Sequence, residues 1–274
     1  MDLASQPIGV FDSGVGGLSV LMEIHALLPD EDLVFVADQE WAPYGTRTLD
    51  EVRDRSVAIS AELIGRGTKV VVVACNSASA AALHHLREVF PQTPFVGMEP
   101  ALKPAAENTL KGAIGVLATA TTFQGELYAS VLDRHANGVE VHEVAAPRLA
   151  MLVEDGSLEE AESDLKELLG PMLAAGIDSL VLGCTHYSFL QDQIRAVVGP
   201  DVRLVDPAAA VARQVLRVLE ERGLVNRSSG GGGTAYLTSG DPGRLEEQAR
   251  ELADYSIAAV RIEIEDQGIS QHSP

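Results

Sequence analysis

Short apolar runs of strand length alternate with longer helix-like stretches along the chain, and this alternation constrains the fold more than any other feature. Ile8–Phe11, Asp32–Ala37, Val70–Ala74, Phe95–Met98, Ala113–Leu117, Val139–Val144, Ser179–Leu182 and Arg203–Val205 read as strands. Between them, Leu49–Arg66, Ser77–Val89, Thr122–His135, Leu158–Ala175 and Pro207–Arg222 carry helical patterns. The spacing predicts an α/β fold with mostly parallel sheets, because parallel neighbours need helical crossovers. Ser228–Gly233 reads as a flexible loop. Strands at Thr234–Thr238 and Val260–Ile264 follow it, around a helix at Arg244–Tyr255.

A weak internal repeat sharpens this picture. Ile8-Gly9-Val10 recurs as Ile114-Gly115-Val116, and Val73-Ala74-Cys75-Asn76 as Leu182-Gly183-Cys184-Thr185. Glu99-Pro100-Ala101 recurs as Asp206-Pro207-Ala208, in the same order and at nearly the same spacing. The pattern predicts two pseudo-symmetric α/β halves. Cys75 and Cys184 then occupy equivalent places, each ending an apolar strand and opening a polar turn into a helix. Ligands of open α/β sheets bind beyond the carboxyl ends of the strands, so two facing halves would present the thiols across one crevice.

The local chemistry fits such a crevice. Cys75 sits at a predicted helix start, where free N–H groups and the helix dipole favour thiolate. Asn76 and Ser77 are polar where a core would stay apolar. Cys184 is followed by Thr185 and His186, and an adjacent imidazole can pair with a thiolate or touch substrate. Asp12-Ser13-Gly14-Val15-Gly16-Gly17 departs from a dinucleotide fingerprint, since Ser19 stands where the third glycine belongs. Its backbone N–H groups suit a carboxylate instead. Asp12 itself can hold an ammonium or cap a helix. Tyr44 and Gly45 lie on a turn set by Pro43, and Glu154 reads from spacing alone as a solvated acid.

The 20 Lys and Arg face 40 Asp and Glu, a formal charge of −20. That balance counts against nucleic acid, whose binding rests on neutralising phosphates, and against an anionic membrane surface. No apolar run approaches the roughly 18 residues of a membrane span, and the N-terminus lacks a basic and apolar leader. The chain therefore reads as soluble and cytoplasmic. Two cysteines without a CxxC are too few for a zinc site, and no metal-ligand cluster or Schiff-base lysine stands out, so no metal or cofactor is expected. Two opposed thiols suit proton removal from a carbon acid on one face and return on the other, which inverts a stereocentre.

With these residues in view, the chain resembles the cofactor-independent aspartate/glutamate racemase superfamily, in particular its glutamate racemases, from Ile8 to about Gly243. Five segments carry the resemblance: Phe11–Gly17, Ala42–Gly45, Ala74–Ser79, Gly183–Tyr187 and Thr238–Asp241. It implies interconversion of L- and D-glutamate, with D-glutamate supplied to peptidoglycan and Cys75 and Cys184 as proton donor and acceptor. By the same motifs Asp12, Ser13, Tyr44, Gly45, Asn76, Ser77, Thr185 and His186 would contact substrate, and Glu154 would support the Cys184 side. It further implies a discontinuous division, residues 1–101 with 209–274 and residues 102–208, and allows a homodimer. Ser77 stands where Thr is common, and Trp41 where a polar or basic residue is usual. An aspartate racemase or other superfamily member remains an alternative, as does a regulatory protein acting on DNA gyrase.

Overall fold

The computed structural model describes residues 3–228 and 230–265, so Ser229 of the expected flexible loop lies outside the described residues. The chain opens with β1 (Ile8–Asp12), α1 (Leu18–Leu27), β2 (Leu33–Ala37), α2 (Leu49–Gly65), β3 (Val70–Val73), α3 (Asn76–Val89) and β4 (Phe95–Gly97). It continues through α4 (Leu102–Asn108), β5 (Ala113–Ala118), α5 (Ala120–Gln124), α6 (Glu126–His135) and β6 (Glu140–Ala145). Then come α7 (Pro147–Glu154), α8 (Ala161–Ala174), β7 (Ser179–Gly183), a 3-10 turn (Thr185–Leu190), α9 (Gln191–Val198) and β8 (Arg203–Val205). Finally α10 (Ala208–Arg222), β9 (Thr234–Thr238), α11 (Pro242–Ala253) and β10 (Ala259–Arg261) complete the order.

Two parallel sheets result, ordered β10-β9-β2-β1-β3-β4 and β6-β5-β7-β8. The stretch β2-β1-β3-β4 and the whole second sheet have the same connectivity, so the repeated tripeptides fall on equivalent strands β1 and β5. In each sheet the chain leaves the first strand to one side and returns on the other. The switch points therefore lie between β1 and β3, and between β5 and β7, where loops diverge and leave a crevice.

Both faces of the larger sheet are covered. Ile8, Val10, Val70 and Val72 join Leu18, Leu21, Val211 and Val215 of α1 and α10 on one side. Phe11, Val71 and Val73 meet Ile59, Leu63, Ala82 and Leu86 of α2 and α3 on the other. Such two-sided burial explains the unbroken apolar strand sequences. Local signals fix the helix starts. Thr48 accepts from the Glu51 N–H while Glu51 accepts from the Thr48 N–H, a capping box that opens α2. Asp241 accepts from the Arg244 N–H and Pro242 follows it at the first turn of α11.

Several expectations shift. The Thr122–His135 stretch is two helices broken at Gly125, whose backbone is extended; a Cβ there would stand 2.5 Å from the Ala80 Cβ of α3. The Leu158–Ala175 stretch opens as a 3-10 turn before α8. The last strand is Ala259–Arg261 rather than Val260–Ile264. Helices α1, α4, α7 and α9 were not distinguished in the sequence. Among the described residues no helix is long and apolar enough to cross a membrane.

Candidate active site

Cys75 lies one residue beyond β3 and caps α3, while Cys184 follows β7 directly and opens the 3-10 turn instead of the expected α-helix. Both thiols are free and buried. Both line one small cavity of about 20 Å³, together with Ser13, Tyr44, Gly45, Asn76, Ser77, Thr119 and His186. Cys75 Sγ lies 3.7 Å from Ser13 Oγ, and Cys184 Sγ lies 3.7 Å from His186 Nδ1. The Asn76 side chain is buried, with neither its amide nitrogen nor its oxygen paired among the described residues. A buried amide left unpaired costs about 1–3 kcal/mol. A zwitterion, offering an acceptor and a donor side by side, matches both ends.

The two halves close on each other crosswise. Asp12, at the end of β1, accepts from Thr185 Oγ1 at 2.9 Å beyond β7. Thr119, just past β5, shares a 2.9 Å hydrogen bond with Ser77 beyond β3. Asp12 and Thr185 are thus behind the cavity wall rather than on it. The other Asp12 oxygen accepts from Ser13 Oγ and the Gly14 N–H, so Asp12 caps a turn and not a helix. The Tyr44 hydroxyl turns to Asp38, which Arg55 holds bidentately at 2.8 Å through each nitrogen. Trp41 stacks under the guanidinium groups of Arg47 and Arg55, 4.4 and 4.9 Å from the ring centre, so a basic partner is supplied by neighbours.

Glu154 corrects the reading of it as a solvated acid. It is buried at the end of α7, and its Oε1 contacts His186 Nε2 at 2.7 Å and accepts from the Val15 N–H at 2.8 Å. Its Oε2 accepts from Gln39 and Gln248. The glycine-rich turn after β1 does bind a carboxylate, and that carboxylate is the protein's own. Gly14 and Gly16 make the approach possible: a Cβ on Gly14 would stand 1.7 Å from Glu154 Oε1, and one on Gly16 2.5 Å from His186 Nδ1.

Electrostatics separate the thiols. Burial pushes the Cys75 thiol well up and the Asp12 charge adds to it, outweighing the Ala78 N–H at the helix start. The helix end therefore does not lower this thiol as its sequence position suggests. Burial likewise raises Asp12, against the pull of His186 and its hydrogen bonds. Glu154 is held below the ordinary carboxylate range: burial opposes this, but His186, the Val15 N–H and Gln39 prevail. His186 is held well above the ordinary imidazole value, since Cys184 and Glu154 outweigh its burial. The line Glu154–His186–Cys184 thus favours an imidazolium facing the second sulfur. Among the described residues, no three His, Cys, Asp or Glu side chains gather to hold a metal ion.

Thr119, Gln39, Gln248 and the Asp38–Arg55 pair escaped sequence reasoning. For Thr119 a signal existed, because the repeat that matches Ile8 with Ile114 also matches Ser13 with Thr119. The others carry no local mark.

A family model described as Asp/Glu/Hydantoin racemase matches residues 8–215. The glutamate racemase of Roseiflexus sp. (strain RS-1) is 49% identical over 254 residues, covering 92% of this chain and 93% of that protein. Among solved structures, glutamate racemase isoform RacE1 from Bacillus anthracis superposes with a TM-score of 0.87 at 34% identity, over 94% of this chain and 98% of that one. Glutamate racemase from Thermus thermophilus in complex with beta-chloro-D-alanine superposes with a TM-score of 0.82 at 37% identity, over 97% and 100%.

Proposed function

From a chain that belongs to the Asp/Glu/Hydantoin racemase family and, within it, to the glutamate racemases, we propose an enzyme that interconverts L- and D-glutamate through two thiols and no cofactor. One observation carries this reading: two buried cysteines end equivalent strands of two like-connected sheets and line one cavity. In each turnover a thiolate takes the α-proton from one face of the carbon. The opposite thiol gives its proton to the other face, and the two sulfurs exchange protonation states. Run backwards, the same steps restore the first enantiomer.

The chain's residues have distinct parts in this. Asn76, with both amide atoms unpaired, meets the α-carboxylate through its nitrogen and the α-ammonium through its oxygen. Ser13 orients Cys75, and His186, fixed by Glu154, faces Cys184 with the charge that a negative sulfur requires. Asp12 and Thr185 tie the halves together from behind. A cavity of about 20 Å³ has room for about one water, so glutamate enters when the halves part. Membership of strands supports a division into residues 1–101 with 209–274 and residues 102–208, since β5 to β8 alone form the second sheet. Two free cysteines support a reducing, cytoplasmic setting, in which D-glutamate would be drawn off into peptidoglycan.

The test is racemisation followed by circular dichroism, with each enantiomer of glutamate and no added cofactor. Activity is expected with both, the α-carbon of product should carry deuterium in D2O, and Cys75→Ala and Cys184→Ala should each abolish turnover. Full activity in either variant would refute the two-thiol mechanism. Turnover of aspartate and none of glutamate would overturn the substrate.

A further inference from the structure

Glu154 belongs to the second sheet's half, but three of its four side-chain partners do not. The Val15 N–H and Gln39 come from the loops after β1 and β2, and Gln248 comes from α11, near the end of the described chain. Residues 8–215 are those matched by the family model, so Gln248 lies outside that match. The residue is 5% exposed. One amide nitrogen reaches both the Glu154 backbone oxygen at 2.7 Å and Oε2 at 3.1 Å.

Every hydrogen in this network has an assigned direction. The Gly240 N–H donates to Thr238 Oγ1, and Thr238 Oγ1 donates to the Gln39 carbonyl at 3.1 Å. The Gln39 amide then donates to Gln248 Oε1 at 2.6 Å and to Glu154 Oε2 at 3.2 Å. Gln248 spends both its hydrogens on Glu154. Reversing either amide would put a carbonyl oxygen against a carboxylate. Arg244, on the same helix as Gln248, donates to the Glu154 backbone oxygen at 2.9 Å and pairs with Asp155 at 3.0 Å. With Oε2 occupied by the two amides, Oε1 is left to the Val15 N–H and His186.

We infer that Gln248, relayed with Gln39, is a positioning residue for the Cys184 half of the reaction: it aims the Glu154 carboxylate at His186 and thereby fixes the imidazole beside the sulfur. The inference rests on the two-thiol reading. Among the described residues Gln248 and Gln39 share no hydrogen bond with Cys75 or Ser13, and the Cys75 half meets His186 through Asp12 and Thr185 instead.

The test is Gln248→Met, which keeps the length and removes both donors. Mirror-image substrates have an equilibrium constant of one, so kcat/KM for unlabelled glutamate must fall equally in both directions, here by about tenfold or more. The distinguishing readout is the primary deuterium isotope effect on kcat/KM for each α-deuterated enantiomer. When the Cys184 step is slowed, the effect rises for the enantiomer that Cys184 deprotonates. It falls towards unity for the other, whose labelled step at Cys75 is then followed by a slower reprotonation. Opposite movements support the positioning role. Movements of the same sign, or none, overturn it, because a loosened fold burdens both thiols alike. Gln39→Met gives the same readout should Gln248→Met fail to fold. Cys184→Ala run alongside separates the premises: its full activity would remove the two-thiol reading itself, whereas its inactivity with same-sign shifts removes only the role of Gln248.

Discussion

Arg55→Met puts the support of the Tyr44 loop to a quantitative test. Arg55 and Asp38 form an ion pair whose side chains are 5% and 0% exposed, with two hydrogen bonds of 2.8 Å. Arg55 also donates to the Ile264 backbone oxygen and stacks on Trp41. Replacing it by Met leaves the Asp38 carboxylate buried with, among the described residues, the Tyr44 hydroxyl for a partner. Breaking a buried pair from one side costs about 3–5 kcal/mol, against a total of about 5–15 kcal/mol for a typical domain. A pair at the surface would cost no more than about 1 kcal/mol. Urea unfolding followed by the fluorescence of the single tryptophan, Trp41, measures the difference from the transition midpoint and slope. Adding Asp38→Asn removes the stranded charge, so the double variant should regain more than half of the loss. Because Tyr44 lines the cavity, KM should rise in Arg55→Met. A single-variant cost below about 1 kcal/mol, or a double variant less stable than Arg55→Met, would refute the argument.

Three further outcomes follow from particular contacts. Gly14→Ala should lower kcat by about tenfold or more with the fold retained, measured by racemase assay and far-UV dichroism, because its Cβ would displace the Glu154 carboxylate from His186. Gly65→Ala, in the exposed last turn of α2 with nothing within 4 Å of the added Cβ, should stabilise the protein by about 0.5 kcal/mol in the same urea experiment. The third concerns pH. Glu154 is depressed below its ordinary 4.5, so its contribution is present above that value and is lost as pH falls through the depressed one. His186 is raised above its ordinary 6.5, so its contribution is full below 6.5 and is lost as pH rises through the raised value. The stability gap between the parent and Glu154→Gln should therefore be widest between those limits and narrow on both sides. A gap independent of pH would exclude the ion pair.

The parts of the molecule that the sequence made legible are those whose cause is local. The Val70–Val73 run is apolar because both faces of its sheet are covered, and the Leu49–Arg66 pattern matches α2 to within a residue. The cysteines were legible through the repeat, which the matching strand order of the two sheets explains. Glu154 was not, since its partners lie 32, 94, 115 and 139 residues away and nothing beside it distinguishes it from a surface acid. The break at Gly125 was hidden for a similar reason: its cause is the approach of Ala80 on another helix. The expectation of a lowered Cys75 thiol failed because a helix start is one influence among several. Burial and the Asp12 carboxylate both act on that sulfur, and neither is visible from the ten residues around it.

The pseudo-symmetry of the sheets does not extend to the proton. Ser13 stands beside Cys75, whereas the equivalent Thr119 turns to Ser77; His186 stands beside Cys184, whereas the equivalent Ser77 carries no charge. The Cys75 thiol is strongly held in its neutral form, while an imidazolium backed by Glu154 faces Cys184. On the two-thiol reading, the proton transfers at Cys75 and at Cys184 therefore take place in unlike surroundings. Equal specificity for mirror-image substrates survives this, since the equilibrium constant of one constrains the ratio of kcat/KM and not the separate values of kcat and KM. Unequal kcat values for L- and D-glutamate, compensated in KM, are therefore the kinetic trace that this difference in sulfur environments should leave.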